Sequence, residues 1–328
     1  MKGVLVVVVN YRVGSLCLDA VAAVADEVSA DSSNRLLIVD NASGDGSDDM
    51  LERTIQERGW STWATLVRSP VNGGFAAGNN FGIRHAVADG WRPAYVHLLN
   101  PDTAAEPGAL EVLWTFLEAN STVGIAGSRL NNERGEQDHS RFRFPSLANE
   151  FESRIGLGVV SRVRPRWSIA LPLRSVTEQV DWLAGASMMI RQDVFDDIGL
   201  LDEGFFMYFE EVDFCRKALQ MGWTCWYVEE SRVAHFAGKS SGIDMEDTVG
   251  RALPKYWYRS RRRYWVKNHG YAFALFLDCV SGSCEALRLL RLALQRKTNQ
   301  QPRGFLLGLM GMGFSRGDRT STSMGRVN

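Results

Sequence analysis

Two hydrophobic periods alternate along the N-terminal part of the chain. Residues 4–9 are a continuous apolar run, the pattern of a strand buried on both faces of a parallel sheet. Residues 16–30 then carry apolar side chains at helical spacing, and residues 35–39 form a second strand ending at Asp40-Asn41. The alternation continues with a helix over 49–58, a strand over 62–68, a helix over 79–89 and a strand over 95–99. This strand–helix rhythm predicts an α/β fold with a doubly wound parallel sheet and right-handed crossovers. Between residues 131 and 177 the period weakens and Arg, Pro and Ser become frequent, which predicts a long loop or lid. Order resumes over 180–191, followed by a helix over 192–198, an acidic cluster and a late strand over 225–228. The chain after residue 251 reads as helices, with about the last 15 residues expected to be disordered.

In open α/β sheets, ligands gather at the carboxyl ends of the strands. Polar residues stand at those ends here: Asn10 and Tyr11, then Asp40 and Asn41, then Asn100-Pro101-Asp102. A carboxylate such as Asp102 could hold a divalent cation there, although Asp102 and Thr103 could equally cap a helix beginning near Pro107. Asp40 could accept hydrogen bonds from a base or ribose. The glycine-rich run over 72–80, with Asn72, Gly74 and Asn79, lets backbone approach a sugar or diphosphate. It follows the third strand and lacks Gly-x-Gly-x-x-Gly spacing, which disfavours a dinucleotide-dependent dehydrogenase. His235 lies in an apolar stretch, where a lone histidine is more often a core residue than a metal ligand.

The most informative chemistry lies in residues 205–216, where Glu210, Glu211 and Asp213 sit among Phe, Tyr and Met. Carboxylates held in an apolar frame are desolvated, which raises their pKa toward the range of a general base. The competing reading is that both glutamates begin a helix and offset its dipole, while Asp213 pairs with Arg216 or Lys217.

Composition narrows the class. The 328 residues are 45% apolar and 23% charged, ordinary for a soluble protein, and the formal net charge of −1 argues against a dedicated nucleic-acid binder. The charge is unevenly spread: from Arg251 to Arg303, 12 Lys/Arg face 2 acids, so this segment is +10 and the rest is −11. Its Arg/aromatic run over 256–265 and its Arg/Leu run over 287–292 favour contact with an anionic membrane surface over nucleic acid, and read equally well as a purely structural helix with a basic outer and an aromatic inner face. Five cysteines without Cys-x-x-Cys spacing read as reduced thiols. The N-terminal apolar run lacks a cleavage signal, and no run reaches the ~20 apolar residues of a membrane span. These features predict a cytoplasmic protein, peripheral at the inner face of the membrane, with self-association left open.

The order of these pieces resembles inverting glycosyltransferase family 2, and within it the rhamnosyltransferase-like branch. The resemblance rests on Val-Val-Asn-Tyr at 8–11, Val-Asp-Asn-Ala-Ser at 39–43, the run over 72–82 and Leu-Leu-Asn-Pro-Asp at 98–102. It continues through Trp182-Leu183-Ala184-Gly185-Ala186, the cluster at 205–216, and His235 before Lys-Ser-Ser-Gly at 239–242. It implies a GT-A fold, a Rossmann-like and mostly parallel central sheet flanked by helices. Residues 1–130 would bind the nucleotide sugar, 131–250 would supply the acceptor and catalytic half, and 251–328 would be a basic helical tail. Asn10 and Tyr11 would line the base pocket, Asp40 would hold base or ribose, and Asn72, Gly74, Asn79 and Asn100 would complete the donor site. Asp102 would coordinate Mg²⁺ or Mn²⁺ bridging the diphosphate, with His235 completing the metal site. Glu211 would be the general base, and Trp182, Gly185 and Ala186 would meet the acceptor, a glycan, a lipid-linked sugar or a small glycoside. The expected donor is dTDP-L-rhamnose. Two departures from the family pattern stand out. The Asp-x-Asp is reduced to Asn-Pro-Asp, and the acidic pair ends in Glu where Asp is commoner, which keeps Glu210 and Asp213 in the candidate set. The alternatives are a sugar-phosphate nucleotidyltransferase and a non-catalytic module bound at a membrane.

Overall fold

The computed structural model describes residues 3–157, 163, 165–236, 238, 252–299 and 301–313. The continuous apolar runs become parallel strands because helices cover both faces of the sheet. Strands β1 (Val4–Asn10), β2 (Arg35–Asp40), β3 (Ala64–Arg68) and β4 (Tyr95–Leu99) lie parallel in the order β3-β2-β1-β4. Alternation along β1 separates two cores. Val4, Val6 and Val8 pack with α1 (Gly14–Ser29) and α2 (Ser47–Glu57) on one face, whereas Leu5 and Val7 pack with α3 (Gly74–Val87) on the other.

Beyond β4 the sheet becomes mixed. The chain forms β5 (Thr103–Ala105), α4 (Ala109–Ala119), β6 (Val123–Asn131) and the short β7 (Arg141–Phe142), then α5 (Leu147–Ile155), β8 (Glu178–Val180) and β9 (Trp182–Leu183). Strand β10 (Ser187–Arg191) then runs antiparallel between β4 and β6, and α6 (Gln192–Ile198), α7 (Glu210–Gln220) and β11 (Thr224–His235) follow. The full order is β3-β2-β1-β4-β10-β6-β11-β5, with β8 also on β11. The rhythm holds for the four parallel strands β1–β4, and the whole sheet is the mixed, mostly parallel one expected of a GT-A fold. The short apolar run at 187–190 looks the same whichever way it runs, and only its place between two other strands sets its direction. Strands β5 and β6 do not show in the periodicity, because β6 is interrupted by glycines and Ser128.

A polar line crosses this central region. His97 on β4 contacts Ser187 at 3.0 Å, Ser187 contacts Ser128 at 2.7 Å, and Ser128 contacts Ser231 at 2.8 Å. Burial pushes His97 down to about 3, so the ring is neutral and serves as a structural partner.

The segment over 131–177 holds more order than a loop. Helix α5 is closed at its start by a reciprocal Ser146/Asn149 capping box. Three further helices follow: α8 (Lys255–His269), α9 (Tyr271–Leu294) and α10 (Phe305–Gly313). Tyr264 and Trp265 of α8 pack with Phe205 and Val212, and Trp257 and Tyr258 pack with Phe305 and Leu309 of α10. Arg261, buried in α8, binds Glu150 of α5 through Nε at 3.0 Å and Asp278 of α9 through Nη1 at 2.6 Å. Arg262 also pairs with Asp278, Arg263 and Lys267 with Asp202, and Arg288 with Glu285. Much of the basic excess between Arg251 and Arg303 is thus neutralised inside the fold, which the charge count could not reveal. Arg251 itself, residues 239–242 and residues 314–328 lie outside the described residues.

Removing one partner of a buried charge network leaves the others uncompensated. Arg261→Ala is therefore expected to lower unfolding stability by about 3–5 kcal/mol, read from urea denaturation. A loss under about 1 kcal/mol, the value of an exposed pair, would show that this network does not tie α5, α8 and α9 together.

Candidate active site

A cleft of about 940 Å³ opens at the carboxyl ends of the parallel strands. From the β1 end it takes Tyr11, Arg12 and Val13; from the β2 end, Asn41; and from the glycine-rich run, Asn72, Gly74, Phe75 and Asn79. From β4 come Asn100, Pro101 and Asp102, and from the turn between β9 and β10 come Gly185 and Ala186. Glu210, Glu211, Trp182 and His235 complete the expected set. Of the residues singled out in the sequence, only Asn10, Asp40 and Asp213 stand back from the cleft wall.

Asn10 and Asp40 brace the wall from behind. Asn10 is fully buried and donates from Nδ2 to Asp40 Oδ1 at 2.8 Å and to Ser47 Oγ at 2.9 Å. Asp40 Oδ2 accepts from the Ser43 backbone N–H at 3.1 Å. Both were expected to touch the nucleotide. Their polar atoms instead hold the loops after β1 and β2 in shape. The same loops carry positive φ at Arg12 (61°) and Ala42 (56°), conformations that cost a non-glycine residue of order 1–3 kcal/mol.

Asp213 is likewise turned into the protein. It pairs with Lys267 Nζ at 2.8 Å and with Lys217 at 3.6 Å, so it fastens α7 to α8 and is not placed to act as a base. The expected local partner Lys217 is present; Lys267, far off in sequence, is closer.

The metal candidates are brought together by strand register. In the antiparallel β5–β11 pair His235 lies opposite Thr103, and the Phe236 backbone N–H donates to Asp102 O at 2.9 Å. This places His235 Nε2 3.6 Å from Asp102 Oδ1. A carboxylate and an imidazole suit Mg²⁺ or Mn²⁺ when a ligand's phosphate oxygens supply further positions. Among the described residues no third His, Cys, Asp or Glu joins them. The helix-cap alternative for Asp102 and Thr103 is not what the chain builds: α4 starts at Ala109, and Glu27 accepts from the Gly108 and Glu111 backbone N–H groups.

Glu210 and Glu211 open helix α7, preceded by two non-glycine residues at positive φ, Tyr208 (69°) and Phe209 (71°). Glu210 is buried and Glu211 half-buried on the cleft, and Oε2 of each has no hydrogen-bond partner among the described residues. Burial raises Glu211 to about 7. Burial, and then the charge of Glu211, pushes Glu210 well above the usual carboxylate range. A helix N-terminus favours ionised carboxylates by about 0.3–1 kcal/mol. The rise of Glu211 corresponds to roughly 3 kcal/mol in the opposite sense, so desolvation prevails. Of the pair, Glu210 therefore stays protonated while Glu211 titrates near neutrality.

Gly74 shows how the two halves of the wall meet. Its φ is 83°, a Cβ there would lie 1.7 Å from Phe206 O, and the neighbouring Phe75 N–H donates to that oxygen at 2.9 Å. The glycine is needed for this contact, a constraint the sequence signalled only as a glycine-rich run. Aromatic side chains complete the wall: Phe206 and Tyr208 from the cluster singled out at 205–216, and Phe75, Phe142 and Tyr256, which the sequence did not mark as site residues. Phe142 stacks on Trp182 at 4.2 Å, and Tyr208 stacks on Tyr256 at 6.2 Å. The signal of Phe142 and Tyr256, one aromatic in the 131–177 segment and one at the start of α8, is indistinguishable from core without the fold. Asp138 and His139, also on the cleft, were missed for the same reason.

Known proteins share this architecture and parts of this sequence. Residues 5–199 match the family described as glycosyl transferase family 2, a match that ends before Glu210. An N-acetylglucosaminyl-diphospho-decaprenol L-rhamnosyltransferase of Mycobacterium tuberculosis is 29% identical over 160 residues, 47% of this chain and 50% of that protein. The rhamnosyltransferase WbbL of Escherichia coli is 30% identical over 171 residues, 50% of this chain and 61% of that protein. The low-salt glycan biosynthesis hexosyltransferase Agl10 of Haloferax volcanii is 33% identical over 153 residues, 46% of this chain and 45% of that protein. The chain thus spans about half the length of the curated relatives it matches. In fold it is similar to a mannosyltransferase from Pyrobaculum calidifontis solved with GDP-Man and Mn²⁺ (TM-score 0.55, 15% identity, covering 94% of this chain and 79% of that one). It is also similar to GalNAc-T7 solved with UDP, GalNAc and Mn²⁺ (TM-score 0.56, 16% identity, covering 95% of this chain and 56% of that one). With a family match over more than half its length and a GT-A fold, the chain belongs to glycosyl transferase family 2.

Proposed function

We propose that this glycosyltransferase moves L-rhamnose, with inversion, from dTDP-L-rhamnose to an acceptor hydroxyl on a lipid-linked glycan. The observation that carries the catalytic assignment is Glu211: a half-buried carboxylate held near neutrality, facing a cleft that also presents Asp102 and His235. The rhamnosyl assignment is supported by the names of the Mycobacterium tuberculosis and Escherichia coli relatives, and the lipid-linked acceptor by the first of these.

In the reaction, Glu211 accepts the proton of the acceptor hydroxyl while that oxygen attacks the anomeric carbon. The bond from this carbon to the nucleoside diphosphate breaks on the opposite side, so a single displacement inverts the configuration. Burial holds Glu211 protonated up to near neutrality, and once Glu211 ionises its charge keeps Glu210 neutral. Tyr11, Arg12, Asn41, Asn72 and Asn79 form the donor wall, and Trp182, Phe142, Tyr208 and Tyr256 form an aromatic acceptor wall. A divalent cation held by Asp102 and His235, Mg²⁺ or Mn²⁺, would offset the charge that gathers on the departing diphosphate. Both fold neighbours named above were solved with Mn²⁺, which supports the cation. The five free cysteines suit a reducing, cytoplasmic setting, with the acceptor reached at the inner membrane face.

A panel of nucleotide sugars tests the donor. Thermal unfolding with dTDP-L-rhamnose and Mn²⁺ should show a shift larger than with other donors, and Asp102→Asn should remove the part that depends on metal. Equal shifts for every donor would sink the rhamnosyl assignment.

Glu211→Gln should retain the fold and lower kcat by about 10²–10⁴-fold. Asp213→Asn should mainly lower thermal stability, because it breaks the pair with Lys267. Comparable losses of kcat in both variants would argue against Glu211 as the base.

A base must be deprotonated to act, so kcat/KM should rise with pH through about 7 and level off above it. An acid limb near the ordinary carboxylate range would show that the pair is not desolvated in the working enzyme.

A further inference from the structure

Helix α9 is amphipathic in the wrong sense for a helix facing water. Its 24 residues span about 36 Å, and all four of its charged side chains point inward. Glu285 and Arg288 are buried and pair at 2.6 Å, Asp278 pairs with Arg261, and Arg291 donates to Gly156 O at 2.9 Å. The outward face, recurring at three- and four-residue steps, is Phe276, Cys279, Ser283, Leu287, Leu290 and Leu294, without a charge along its whole length. Leu294 is 78% exposed and Leu287 59%. Helix α10 lies alongside, with Leu306 Cδ2 3.7 Å from where a Cβ on Gly282 would stand. It buries Phe305 and Leu309 and leaves Leu307 (74%) and Met310 (63%) exposed. A soluble helix of this burial would place its charges outward and its leucines inward.

What covers the face follows from the charges around it. Arg296, Lys297 and Arg303, all exposed, border the end of α9 and the start of α10. A second copy of the chain docked through the same face would bring two such basic borders together, a repulsive arrangement. An anionic lipid surface supplies both an apolar layer for the leucines and phosphates for the cations. The inward charges of α9 also prevent it from crossing a bilayer, and among the described residues no helix is long and apolar enough to do so.

We propose that the outward faces of α9 and α10 form a membrane-docking surface that lies in the plane of an anionic bilayer, with Leu287, Leu290, Leu294, Leu307 and Met310 below the headgroups and Arg296, Lys297 and Arg303 at them. Because α8 both supplies Tyr256 near the cleft and pairs with α9 through Arg261, docking fixes the cleft relative to the surface. Delivery of a lipid-linked acceptor to that cleft rests on the transferase reading above; the docking itself does not.

Flotation of the full chain with vesicles tests this. Wild-type protein should float with phosphatidylglycerol/phosphatidylcholine vesicles and far less with phosphatidylcholine alone, and about 0.5 M salt should weaken binding. Leu287→Glu/Leu290→Glu should reduce the bound fraction about tenfold while thermal unfolding and donor hydrolysis stay unchanged. Arg296→Glu/Lys297→Glu, away from any packing contact, should reduce binding to the anionic vesicles alone. A polarity-sensitive dye on Cys279, the exposed thiol among the described residues, should shift to the blue on adding anionic vesicles. Failure of wild-type protein to float, unchanged flotation of the variants, or a dimer that the Leu287/Leu290 variant dissociates would overturn the proposal. Loss of sugar transfer with flotation intact would count against the transferase reading and leave the docking surface in place.

Discussion

Two adjacent carboxylates cannot both be kept out of water and both ionised, and the structure around the cleft is arranged about that constraint. Glu210 and Glu211 begin α7 at a point where a helix dipole would welcome charge, yet their surroundings hold at least one of them neutral. Keeping them there requires a rigid apolar frame. Phe205 and Val212 pack on Tyr264 and Trp265, Phe209 packs on Trp257 and Tyr264, and Ser260 Oγ donates to Met207 O at 2.9 Å. The left-handed backbone at Tyr208 and Phe209 persists because these contacts over-determine it.

The frame comes from helix α8, which stands outside the α/β sheet. Lys267 connects Asp213 of α7 to Asp202, and Arg261 connects α8 onward to α5 and α9. The basic C-terminal segment is therefore a clamp on the Glu210-Glu211 pair as much as a surface. Its inward face carries ion pairs and its outward face carries leucine.

On the far side of the cleft, geometry rests on strand register. The three-residue strand β5 pairs with the end of β11 and so sets Asp102 beside His235. A shift of one residue would turn His235 to the opposite face. Behind the wall, Asn10 and Asp40 fix the turns that present Tyr11, Arg12 and Asn41. Both hold these turns from behind the wall of the cleft that opens at the strand ends.

The sequence by itself determined the alternation of strands and helices through residue 99, the location of the cleft at the strand ends, and the unusual character of Glu210-Glu211. Each is carried by local information: apolar period, turn polarity, and acids among aromatics. Only the tertiary structure decided the antiparallel insertion of β10, the direction in which Asp213 points, and the neutralisation of the basic segment. Only it showed that the charges of α9 face inward. A charge count, or a run such as Leu287-Arg288-Leu289-Leu290-Arg291, is the same whether the arginines meet water or meet Glu285 and the Gly156 carbonyl. Partners distant in sequence make that choice, because buried charge is tolerated only where the fold brings its counter-charge.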